Sequence, residues 1–122
     1  MKELTKAEER IMQILWGLEK AFTREILEEF KTDTPSYTTV ATVLSVLEQK
    51  GFVANEMLGN SKRYHPLVTK EKYSDFAMSN VMGKYFDGSL SRVVSFFADR
   101  EKLDIKELDE IIKILEEKKE ED

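Results

Sequence analysis

Cysteine is absent from the 122-residue chain. That excludes a disulfide framework, thiolate zinc or copper sites, iron–sulfur clusters and a cysteine nucleophile. Histidine occurs once, at His65 beside Pro66. A general base or a metal site needs convergent partners, and none lies near it in sequence, so His65 reads as structural. There is no phosphate-cradling glycine loop and no nucleophile motif. Neither enzymatic activity nor a metal or organic cofactor is expected. Long hydrophobic runs are missing as well: the apolar stretches span a few residues each, such as Val93-Val94, and polarity begins at Lys2. Nothing reads as a signal peptide or spanning helix, so the expected location is the cytoplasm, without membrane insertion.

The formal net charge is −5, which would repel a polyanion. The average conceals a division. Residues 1–70 carry ten basic and ten acidic side chains, whereas residues 71–122 carry nine and fourteen. The acidity belongs to the C-terminal part, and the N-terminal part is neutral. Where the positive charges of that part lie then matters more than their sum.

Hydrophobic periodicity organises the chain. Leu4, Ala7, Ile11, Ile14/Leu15 and Leu18 recur at helical spacing, and Thr5 with Glu8 forms a capping box, which predicts a helix over about 6–18 with Gly17 near its end. A short helix follows Thr23, with Ile26, Leu27 and Phe30 on one face. Pro35 prevents its continuation. Ser36 caps a third helix from Tyr37 to Lys50, and Gly51 stops it. Residues 52–57 then read as a strand, 58–61 as a turn, and 62–68 as the returning strand, placed at an edge or fraying at Pro66. Further helices are expected at about 70–86, from Leu90, and from a capping box at Asp104 and Glu107. Trp16 and Phe22 read as core, and Met78 and Met82 as fillers of a helix interface.

Three helices followed by a hairpin with Lys62, Arg63 and Tyr64 near its tip make the layout of a winged helix. The fold class is mostly α with one small β-hairpin: a winged helix-turn-helix domain over 1–70 and a helical dimerisation domain over 71–122. On the third helix Val40, Val43/Leu44 and Leu47 form the buried stripe. Thr38, Thr42, Ser45 and Gln49 form another, roughly opposite. Short polar side chains allow close approach to a major groove, and they offer hydroxyls to phosphates and base edges and methyls to thymine. A tip such as Lys62-Arg63 can neutralise phosphates. Equally, a charged tip can simply protect an edge strand, and the hydroxyl face can be solvated surface.

The C-terminal helices carry apolar faces too large for so short a unit to bury alone. These comprise Tyr73, Phe76 and Val81; then Leu90, Val94 and Phe97; then Leu108, Ile111, Ile112 and Leu115. An identical copy is the simplest partner. Folding back onto the N-terminal domain is the alternative.

The segments Leu4-Thr5-Lys6-Ala7-Glu8, Ile14-Leu15-Trp16, Tyr37-Thr38-Thr39-Val40-Ala41-Thr42-Val43-Leu44 and Leu47-Glu48-Gln49-Lys50-Gly51 resemble those of the BlaI/MecI family of penicillinase and methicillin-resistance repressors. The resemblance extends over nearly the whole chain. It implies a repressor dimer on inverted-repeat double-stranded DNA, with DNA contacts at Tyr37, Thr38, Thr39 and Thr42 and a wing at Lys62 and Arg63. It further implies release by cleavage in the tail under a membrane sensor-protease system. The corresponding bond is Phe96–Phe97, where the best-known members have Asn-Phe. A second departure is Val46, where many members carry arginine. The cysteine cluster of copper-responsive relatives is absent, so copper sensing is not expected. The competing reading is a winged-helix protein–protein interaction module without DNA binding, which the overall acidity favours.

Overall fold

The computed structural model describes residues 1–121, in two compact units that meet in sequence between Ala77 and Met78. In the first unit, α1 (Lys6–Leu18) starts at Thr5. The Thr5 amide donates to Glu8 Oε1 at 2.8 Å and the Glu8 amide donates to Thr5 Oγ1 at 3.2 Å, so both halves of the box form. Gly17 lies inside this helix. The chain reverses instead at Glu19, with φ 69° and ψ −46° and with the Lys20 amide donating to Leu18 O at 2.8 Å. These are the marks of a classic γ-turn, a strained conformation for a side-chain-bearing residue.

The turn leads into β1 (Ala21–Phe22), a two-residue strand that hydrophobic patterning does not reveal. α2 (Thr23–Glu28) follows, with the Phe22 amide donating to Glu25 Oε1 at 2.8 Å. α3 (Tyr37–Gln49) is capped by Ser36, whose Oγ accepts from the Thr39 amide at 3.1 Å. Then come β2 (Val53–Leu58) and β3 (Ser61–Pro66), joined by a two-residue turn in which Gly59 takes φ +65°, a conformation glycine adopts freely.

The sheet is antiparallel in the order β1-β3-β2, with Ala21 opposite Tyr64 and Val53 opposite Pro66. The strand carrying Pro66 is thus central rather than at an edge. Proline is tolerated because it is the last residue of β3, and β1 reaches only Arg63 and Tyr64. No ladder donor is required of it there.

The core joins Ile11, Met12 and Leu15 of α1, Ile26 of α2, Val40, Leu44 and Leu47 of α3, and Phe52, Val53 and Tyr64 of the sheet region. α4 (Lys70–Phe86) begins in this unit. Tyr73 is buried, and its hydroxyl accepts from the Leu4 amide at 2.8 Å. Its ring lies 6.0 Å from Trp16, 5.9 Å from Phe52 and 5.9 Å from Phe76. This corrects the expectation for Tyr73 and Phe76. Both serve the core of one chain, because the first turns of α4 complete a layer that α1 and β2 leave open. The seam accordingly lies after Ala77, not Lys70.

From Met78 onward no described residue is buried. α5 (Leu90–Asp99) is capped by Ser89, whose Oγ accepts from the Arg92 amide at 3.2 Å. Before α6 (Ile105–Glu121), Asp104 Oδ1 accepts from the Glu107 amide at 2.8 Å. Phe86 and Phe96 meet edge to face at 5.5 Å. Val81, Leu90, Phe97, Leu108, Ile111, Ile112 and Leu115 stay exposed, and Val94 is half-buried. No described helix is long and apolar enough to cross a membrane.

Candidate nucleic-acid interface

The sequence of α3 divides cleanly between two faces. Val40, Leu44 and Leu47 are fully buried, while Tyr37, Thr38, Thr39, Thr42, Ser45 and Gln49 are exposed. Tyr37 stands out most among the large side chains, at 55% exposure.

The hydroxyls on this face are not equivalent. Thr42 Oγ1 donates to Thr38 O at 2.9 Å. Thr39 Oγ1 lies 2.9 Å from Ser36 Oγ, inside the N-cap. Thr38 and Ser45 are left as the residues whose hydroxyl donors have no partner among the described residues. Thr42 is exposed but has no hydroxyl donor to spare. With Tyr37, Thr38, Ala41, Ser45 and Val46 it lines a shallow depression of about 390 Å³ along the helix.

Beside this face runs a cleft of about 620 Å³ between α3, the start of α2 and the hairpin. Its walls include Arg24, Tyr37, Met57, Asn60 and Lys62. Lys62 and Arg63 are not brought together. Successive residues of a strand face opposite sides. Lys62 shares the face of Tyr64 and lines the cleft, whereas Arg63 points from the other side, across from Glu56. Tyr64 is not a tip residue: it is buried at 4% exposure and closes the floor of the cleft. Burial, then the charges of Glu48 and Tyr37, push its phenol pKa up, so it remains neutral.

Sequence reasoning missed Arg24. This exposed cation at the start of α2 sits in the cleft with Lys62 because β1 pairs with β3 and draws the start of α2 to the hairpin. The pairing that places it involves two residues, too few to leave a periodic signal.

The region is braced from behind. Glu8, 4% exposed, accepts from Lys50 Nζ at 2.8 Å. Burial pushes the Glu8 carboxyl up, but the hydrogen bond and charge of Lys50 and the Thr5 amide and hydroxyl outweigh it. The net pKa is below the ordinary carboxylate value. The start of α1 and the end of α3 are thereby joined.

Buried helix α3 behind a small-polar outer face, a flanking three-stranded sheet and a hairpin with one cation turned toward the helix define a winged helix-turn-helix protein. The chain matches the penicillinase repressor family over residues 4–117, and it belongs to that family. It is 28% identical over 118 residues to the penicillinase repressor of Bacillus licheniformis, covering 96% of this chain and 92% of that one. It is 27% identical over 117 residues to the methicillin resistance regulatory protein MecI of Staphylococcus aureus strain N315, covering 95% of each. The solution structure of the DNA-binding domain of the repressor BlaI is similar at a TM-score of 0.52 and 30% identity. That likeness covers 60% of this chain and 94% of that domain.

Proposed function

We propose that this chain is a transcriptional repressor that binds palindromic double-stranded operator DNA in the cytoplasm as a homodimer. The observation that carries the reading is the outward row Thr38, Thr42 and Ser45 on a helix whose opposite side is fully buried, with Lys62 and Arg24 beside it. Such a helix can enter a major groove while the flanking cations meet phosphates. Membership of a repressor family and likeness to a solved DNA-binding domain support the same reading.

The exposed apolar residues of α5 and α6 support dimerisation. Leu90, Leu108, Ile111, Ile112 and Leu115 would remain in water in a single chain, an apolar display that marks an interaction surface. Two-fold symmetry would present two copies of α3 to two half-sites. Release by proteolysis at Phe96–Phe97, under a membrane sensor-protease, completes the proposal. That bond sits inside α5, with Arg100 Nη1 donating to Phe96 O at 3.0 Å. A protease that takes extended substrate must first unwind this turn.

The test is electrophoretic retardation of a randomised duplex pool by the whole chain and by Thr42→Glu. Enrichment of a two-fold sequence by the parent, and none by a Thr42→Glu chain with unchanged melting, is the expected outcome. Equal retardation by both would remove α3 as the reading element.

A further inference from the structure

The DNA-binding reading leaves open what α3 recognises in a groove. The usual bidentate readers of guanine and adenine are arginine, lysine, asparagine and glutamine. The central outward face of α3, from Thr38 to Val46, contains none of them, and Gln49 stands alone at its end. Methyl groups do lie on it: Thr42 within the exposed row, and half-buried Ala41 and Val46 at its two borders. Ala41 and Val46 line the depression with Thr42, and Val46 lies one helical turn beyond Thr42 on the same side. The Thr42 donor is already spent on Thr38 O, so this residue contributes a methyl where a hydroxyl donor would otherwise be offered. Thr38 and Ser45, with unused hydroxyl donors, lie between Ala41 and the Thr42–Val46 side of the face. In the major groove the only apolar group on any base is the C5-methyl of thymine.

We propose that Thr42 and Val46 form a methyl strip that reads thymine C5-methyl groups, which makes both specificity-determining residues. The inference rests on the DNA-binding reading. It assigns sequence choice to apolar contact along the Thr42–Val46 side of α3 and leaves the phosphates to Lys62 and Arg24.

Deoxyuridine tests this directly, because it keeps every hydrogen-bonding edge of thymidine and lacks only the methyl. Duplexes enriched by the full chain from a randomised pool are resynthesised with deoxyuridine replacing thymidine one position at a time. Burial of one methyl corresponds to about fourfold in affinity, so at one or more thymines of each half-site uracil should weaken binding by about that factor. The loss should not depend on salt, since no phosphate contact changes. Thr42→Ser keeps the hydroxyl and removes the methyl, and should abolish discrimination at its thymine. Thr42→Val keeps the methyl and should retain it. Val46→Ala should flatten the response at the neighbouring position. Tight binding that tolerates uracil throughout, or discrimination that survives both Thr42→Ser and Val46→Ala, overturns the methyl strip while DNA binding stands. A pool from which nothing enriches overturns DNA binding itself, and this inference with it.

Discussion

Glu8 and Lys50, 42 residues apart in sequence, meet at 2.8 Å with the carboxylate almost wholly buried and the lysine one-third exposed. The pair ties the first turn of α1 to the end of α3, so the angle at which the outer face of α3 is held depends on it. Lys50→Met leaves a buried carboxylate short of one partner and should cost about 2 kcal/mol at neutral pH. Because the folded pKa of Glu8 is depressed below the ordinary 4.5, its contribution is fully present above that value. It is lost as pH falls through the folded pKa. Denaturant melts of parent and Lys50→Met should therefore differ at pH 7 and converge under acid. A constant difference down to acid pH would show that the pair is not the cause.

Lys62 and Arg63 are adjacent, yet they face opposite sides of the hairpin. Lys62→Ala should flatten the slope of log affinity against log salt by about one for each phosphate given up. Arg63→Ala should change the slope much less. Titrations at several salt concentrations decide between them, and equal slopes for the two variants would place the wing on the DNA differently.

Tyr73 lies in the core of the first unit, and Ile112 on the exposed face proposed for dimerisation. Tyr73→Phe removes the acceptor of the buried Leu4 amide, and should cost about 1–3 kcal/mol of stability while sedimentation still reports a dimer. Ile112→Asp puts a charge on the exposed face of α6, and should yield monomers that melt like a folded first unit. Monomers from Tyr73→Phe, or dimers from Ile112→Asp, would contradict this division.

Glu19 occupies the centre of the γ-turn that delivers the chain to β1. Glycine adopts positive φ without the clash of a Cβ, but its unfolded chain is freer. The balance predicts that Glu19→Gly stabilises the fold by up to about 1 kcal/mol, readable as a raised melting temperature.

Much of this protein is written in short-range terms. Thr5 with Glu8, Ser36, Asp104, Pro35 and Gly51 act through hydrogen bonds or dihedral limits within three or four residues, so helix ends are legible from the sequence. The stripe of Val40, Leu44 and Leu47 likewise needs only the helical repeat to be seen, and it implies the hydroxyl face opposite. Only the tertiary structure settled what depends on distant partners. β1 exists because Ala21 and Phe22 meet Tyr64 and Arg63, and that contact brings Arg24 to the cleft. Tyr73 joins the first unit through the Leu4 amide, 69 residues away, and the rings of Trp16 and Phe52. Periodicity tells which side of an element is apolar; it cannot tell which distant surface will cover it, because that follows from how the elements pack in three dimensions.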